Sequence, residues 1–286
     1  MDRFTQLVID IGDLWKKYAS AYLNGARNTL LLAFVGTLFG CLIGFICGVL
    51  NTIPYSEDDP LIKRFVLRFI RAVIRIYVEL FRGTPMVLQA VTIYYALPYF
   101  TNGGARFESV WLASILVVSI NTGAYMAESV RGGIISIDPG QTEGAMAIGM
   151  DHVQTMLYVI LPQALRNIMP QIGNNFIINL KDTSVMFMIS FTDFFAVHRG
   201  VVGATYAYFP SAVVEMLGYL TMTLVSSVLF RRMEKKLAGS SSYELVQQDP
   251  LVMTAGTYDH PDKGTPFDER SKEFPDLYAG RNGGRQ

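Results

Sequence analysis

The chain has 286 residues, 51% of them hydrophobic, and its 24 basic and 24 acidic side chains give a formal net charge of zero. Long apolar runs without charge place it among membrane proteins and exclude an ordinary soluble domain. The balanced charge excludes a bulk electrostatic partner, so no nucleic-acid partner is expected.

Residues 1–24 lack the small-residue cleavage site of a secretory signal. Phe4, Leu7, Val8, Ile11, Leu14, Trp15, Tyr18 and Tyr22 repeat at helical spacing between charged residues, which predicts an amphipathic helix on the outer membrane surface. Asn28–Leu50 is uncharged and long enough for a first span. Within it Gly36, Gly40, Gly44 and Gly48 make a smooth strip for close helix approach. Cys41 and Cys47 share this helix and cannot reach each other as a disulfide. A polar turn, Asn51–Pro60, precedes a helix over Lys63–Arg82. Arg64, Arg68, Arg71, Arg75 and Arg82 keep to one face of it, as on a helix at an anionic membrane surface. Gly83-Thr84-Pro85 breaks it. Met86–Phe100 then enters the membrane, extended back into the preceding helix, with Tyr94, Tyr95, Tyr99 and Phe100 as an interfacial belt. Val110–Tyr125 is the third span, and Glu128 and Arg131 beyond it share a face at pairing distance.

Gly140–Asp182 is only moderately apolar and reads helix, break, helix. Glu143–Ile148 is good helix composition, Gly149 breaks it, and Asp151 stands at an N-cap before a helix to Leu161. Pro162 and Pro170 follow. Gln141, Glu143, Asp151, His152 and Gln154 are too polar for lipid, so the segment is an ordered water-side loop. A fourth, thin span is expected over Thr183–Val197, interrupted by Asp193, then an outer loop, His198–Phe209. The fifth span is Pro210–Phe230, stopped by Arg231, Arg232, Lys235 and Lys236. With five spans, thirteen membrane-proximal Lys and Arg lie on the side of 51–83, 126–182 and the region after 230, against six on the other. The positive-inside bias makes the first side cytoplasmic and the N-terminus external. Residues 239–286, rich in Gly, Pro, Ser and Asp, are expected to be a disordered cytoplasmic tail.

No phosphate-binding G-x-x-x-x-G-K-[ST] loop and no metal-spaced Cys/His cluster is present, and neither a catalytic constellation nor a cofactor is indicated. His152, His198 and His260 are scattered and read as surface residues. Gln89, Asn121, Glu128, Asp193 and Glu215 are costly in lipid, so they face protein or a water-filled path. Gln89, Asn121, Glu128 and Glu215 are the candidate substrate-pathway residues. Interhelical hydrogen bonding is the alternative for each, and for Glu215 a pair with Arg199.

Glu143-Gly144-Ala145, Gly149, Val159, Leu161 and Pro162 resemble the E-A-A-x3-G-x9-I-x-L-P signature of permease subunits of binding-protein-dependent ABC importers. Gly144 and Val159 replace its middle Ala and its Ile. The runs 81–85, 124–134, 140–143 and 180–184 resemble the polar amino-acid (histidine/glutamine-type) permeases, over roughly residues 22–238. The resemblance implies an all-α membrane protein with about five transmembrane helices in the type I importer (MetI-like) arrangement, over residues 25–238. It further implies a bacterial cytoplasmic membrane location, a second permease subunit, identical or a sister chain, a cytoplasmic ABC ATPase dimer that does the hydrolysis, an extracytoplasmic solute-binding protein, a small polar amino acid as cargo, and surrounding membrane lipid. Within loop 139–182, Glu143, Gly144, Ala145, Gly149, Asp151, Leu161 and Pro162 become the ATPase-coupling residues. The competing classes are an ATPase-independent secondary transporter or channel, and a membrane scaffold or sensor acting through its tail.

Overall fold

The structure, a computed structural model, describes residues 2–57 and 59–238. The expected tail at 239–286, and His260 with it, lie outside these residues.

The spine is α1, one helix of 50 residues from Arg3 to Thr52, about 75 Å long. The sequence predicts a surface helix giving way to a span near residue 25, but the two are continuous. Gly25 is the only helix breaker there, and it serves a contact instead. A Cβ on it would meet Val197, Asp193 and Phe194 at 3.0 Å or less. The apolar stripe of the first half is not simply a membrane-facing surface either. Leu14 and Tyr22, with Ile11 and Tyr18 beside them, pack on Phe194, Val201 and Val214.

Helix α2 (Leu61–Gly83) is amphipathic as its arginine spacing requires, and it buries Leu67, Ile74 and Val78. Thr84 and Pro85 separate it from α3 (Met86–Phe100), so α3 does not extend back into it. Helix α4 (Val110–Ile135) is capped by Ser109, whose side chain accepts the Trp111 N–H. It lies along α1. The four glycines of the strip face Val118, Thr122, Met126 and Val130, themselves spaced by four, and a Cβ at any of them would come closer than 3.0 Å to its partner.

The chain then makes α5 (Pro139–Ala147), a one-turn α6 (His152–Gln154), a π-helical segment (Thr155–Ile160) and α7 (Leu161–Asp182). Residues 183–189 tighten into a 3₁₀ helix, ended by Ser190 in the left-handed region at φ 67°. Helix α8 (Phe194–Thr205) and α9 (Tyr208–Ala238) complete the bundle. Phe176 and Leu180 of α7 are buried against Ala33 and Phe230, so the buried packing of this region begins in α7, ahead of Thr183. Asp193 stands in the break between the run His152–Ile189 and α8, where the candidate fourth span is interrupted. It is fully buried and caps α8 by accepting the Ala196 N–H at 2.9 Å. Most of the expected outer loop 198–209 is α8.

By length and composition α1, α4 and α9 can each cross a membrane, and the run His152–Ile189 taken together with α8, with a 54° bend at the break between them, can make a fourth, broken span; α3 is a shorter apolar helix.

The glycine strip gives the first prediction. Gly44→Ala must displace Met126, whose side chain and backbone both lie in the way, and should destabilise the protein by about 1–3 kcal/mol. Gly12→Ala has open space for its Cβ and should stabilise α1 by about 1 kcal/mol. Thermal melts of the two variants in one detergent should move in opposite directions.

Candidate functional site

The water-side loop is built by two local signals. Asp138 caps α5 by accepting the Gly140 N–H at 2.7 Å. At the other end the Met150 N–H reaches Ala145 O (3.1 Å) and the Gly149 N–H reaches Met146 O (3.0 Å). This double closure is the Schellman motif, which needs a left-handed residue after the helix. Gly149 supplies it at φ 89°, in open space. Asp151 then opens the next helix with a capping box: its carboxylate accepts the Gln154 N–H at 2.8 Å, and its own N–H donates to the Gln154 side chain at 3.0 Å. Two helix ends are satisfied within a few residues, so the turn is rigid without outside help.

Past Gln154 the ladder widens. The Leu161 N–H donates to Met156 O, five residues back. Pro162, next in line, has no N–H to offer Tyr158 O, and the wider turn accommodates this gap before α7 begins. Leu161, Ala164 and Ile168 anchor the start of α7 on Met126, Val130 and Ile134 of α4. Gln163 donates to Gln141 at 3.2 Å and Asn167 to Ser136 at 3.2 Å, tying the loop to its flanks. The outer face stays apolar and uncovered: Ile148 is 81% exposed, Tyr158 73%, Val153 63%, with Met146 and Leu157 beside them.

The other polar region lies among the crossing helices. A cleft of about 250 Å³ is lined by Thr84, Thr122, Tyr125, Asn121, Asn175, Asn179 and Asp182, with Pro85, Met86 and Ile178. Asn179 donates to Thr37 at 2.8 Å and to Thr122 at 2.9 Å, joining α7 to α1 and α4. Gln89 lies behind the cleft. Its amide donates to Phe81 O (2.8 Å) and Thr84 O (2.9 Å), and its oxygen accepts from Asn121 at 2.9 Å. The two amides thereby satisfy carbonyls left open where α2 stops.

The expected residues divide accordingly. Glu143, Gly144, Gly149, Asp151 and Pro162 are exposed on the loop, whereas Ala145 and Leu161 face inward. Asn121 lines the cleft with Gln89 behind it; Glu128 and Glu215 do not line it. Glu128 pairs with Arg82, not with Arg131. Glu215 is buried beside His198 (Nδ1 to Oε2, 3.4 Å) rather than Arg199. His198 is itself buried, not at the surface, and its Nδ1 lies 2.8 Å from Ser211 Oγ, which also meets the Tyr22 hydroxyl at 2.8 Å. His152 is exposed as expected. Asn175, Asn179 and Asp182 were not anticipated, because the whole stretch to Asp182 reads as water-side. Their i, i+4, i+7 spacing is the signal that places them on one helical face.

Residues 60–239 match the family described as binding-protein-dependent transport system inner membrane component. Over 215 residues the chain is 33% identical to the glutamine transport system permease protein of Escherichia coli (strain K12), covering 75% of this chain and 92% of that one. It is 32% identical over 215 residues to the arginine transport system permease protein of Bacillus subtilis (strain 168), covering 75% and 91%. Among solved structures, an amino acid ABC transporter crystallised with histidines superimposes at a TM-score of 0.67 with 34% identity, covering 77% of this chain and 95% of that one. The inward-facing MetNI methionine ABC transporter, 18% identical, shares the fold at a TM-score of 0.60 over 77% and 98%.

Removing the Asn179 amide leaves Thr37 and Thr122 without their partner in the bundle. Asn179→Ala should cost about 1–2 kcal/mol, read as a lower melting temperature. Asp151→Ala, which removes one exposed cap, should cost about 1 kcal/mol at most. If the two melts fell equally, Asn179 would not be the fastener described.

Proposed function

The chain belongs to the family of binding-protein-dependent transport system inner membrane components, and we propose that it is a permease subunit of an ATP-driven importer for polar amino acids in the bacterial cytoplasmic membrane. The observation that carries this reading is the loop: a rigid turn whose apolar residues Ile148, Val153 and Tyr158 are held uncovered among polar ones. Such a patch fits a protein partner. The partner proposed is a dimer of cytoplasmic ATPases, with Glu143, Gly144, Gly149, Asp151 and Pro162 on the contact face and Ala145 and Leu161 anchoring it.

Helix α7 supplies the link from energy to solute. It starts in the packed contact with α4 and carries Asn175, Asn179 and Asp182 to the cleft. A push on the loop therefore reaches the cleft along one helix about 33 Å long, with the internal Pro170 as the place where it can bend. The cleft offers amides, hydroxyls and one carboxylate, which suit the ammonium and carboxylate of a free amino acid. The glutamine and arginine permeases among the relatives support the same solute class. An extracytoplasmic binding protein delivers the solute, and a second permease, identical or a sister chain, completes the path. The charge distribution supports an external N-terminus.

Two variants of the full transporter test this. Gly149→Asp places a side chain in the left-handed turn and a charge on the contact face. It should leave membrane insertion intact and lower solute uptake at least about fivefold, the factor at the lower end of an about 1–3 kcal/mol backbone strain. Asp182→Asn should keep ATPase association and raise the solute concentration needed for half-maximal uptake. Uptake at the parental rate in Gly149→Asp would overturn the coupling role; an unchanged concentration dependence in Asp182→Asn would remove the cleft from the path.

A further inference from the structure

A second cavity, of about 590 Å³, lies where the C-terminal ends of α1 and α4 meet the middle of α2. Neither coupling nor the solute cleft uses it. Its cationic wall is Arg71, Arg75 and Arg131, beside the polar Asn51 and Thr52. Arg71 is held in place: its Nη2 donates to Ile53 O at 2.5 Å, and its guanidinium lies 4.7 Å from the Tyr55 ring centre. Its Nε is nevertheless buried without a hydrogen-bond partner, a state that an anion relieves. Arg75 and Arg131 have no ion-pair partner among the described residues. The acids at the cavity are Glu79, exposed as Arg75 and Arg131 are, and Glu128, already paired with Arg82, so three arginines face one free carboxylate. The surplus is positive.

We propose that this cavity seats the phosphate of an anionic phospholipid headgroup. A phosphate diester offers acceptors to guanidinium groups in fork geometry. The lipid source, rather than a free anion, is favoured by α2 itself. Phe65, Phe69 and Ile76 stand more than 60% exposed on the helix that carries Arg71 and Arg75, the pattern of a helix lying where headgroup and acyl chain meet. The site requires a membrane protein but no particular solute, so it stands apart from the transport reading.

The test is titration of the full-length chain, in a neutral detergent, with phosphatidylglycerol, read by native mass spectrometry. The Arg75→Gln/Arg131→Gln double variant should bind about 30-fold more weakly, each arginine at an anionic surface being worth about fivefold. Arg64→Gln, on α2 but outside the cavity, should stay within about twofold of the parent, and phosphatidylcholine, whose phosphate is offset by its own choline cation, should bind more weakly than phosphatidylglycerol. Should the double variant fail to fold, the corresponding pair of Lys substitutions keeps the charge without the fork and should bind at an intermediate level. Parental affinity in the double variant (or, where that fails, in the Lys pair) would overturn the site. An equal loss in Arg64→Gln would replace it with diffuse attraction, and displacement of the lipid by millimolar inorganic phosphate would assign it to a free anion.

Discussion

The close contact between α1 and α4 sets the geometry of everything else. In lipid there is no hydrophobic force to bring two apolar helices together, so association rests on packing and on small residues that let backbones approach. Glycines at every fourth position of α1 admit the side chains of Val118, Thr122, Met126 and Val130. Each glycine weakens the helix that carries it, and the long uninterrupted α1 tolerates them because α4 fills the strip. Thr122 occupies one of these seats and from there also meets Asn179 of α7. The polar cleft is thus fixed in place by the same seam.

Helix α7 stands between two kinds of order. Its first turns are gripped by α4 through Leu161, Ala164 and Ile168, and Gly133 of α4 lets Ile168 come close. Its far turns carry amides whose partners lie on two other helices. Between them Pro170 removes one backbone bond. A helix clamped at both ends and weakened in the middle is suited to bending under load, whereas a uniformly packed one would transmit only rigid displacement.

Much of this was legible in the sequence because the governing signals are local or periodic. The glycine strip, the arginine face of α2, the break at Gly149 and the cap at Asp151 all depend on spacing within one segment, and each was found where expected. What was not legible depends on contacts between distant segments. Gly25 looks like a breaker in isolation and becomes a seat for α8 only once Val197 lies against it. Asp193 reads as a fault in a span, and its second role, capping the helix that follows the break, needs the structure. Arg131 is the nearest partner for Glu128 along the chain, yet Arg82, from α2, takes it. The stretch 163–182 reads as polar through its Asn and Gln residues, but Asn175 and Asn179 find buried partners on α1 and α4, which composition alone does not reveal.

Polar groups among the helices divide by whether the protein itself satisfies them. An amide facing lipid is costly unless both its donor and its acceptor are satisfied. The Gln89 amide meets that condition wholly within the protein, and together with the Asn121 donor it closes the carbonyls at Phe81 and Thr84. They are needed because α2 must end for α3 to begin, and a helix end packed in the protein leaves acceptors open. His198, Ser211, Tyr22 and Glu215 form a second closed set, joining α8 and α9 to the first half of α1. Asp182 differs from both. It is exposed at the mouth of the cleft and no ion pair or side-chain hydrogen bond to it is seen among the described residues. Polar groups that complete one another hold the bundle together, and Asp182 is left with free hydrogen-bonding capacity at the cleft.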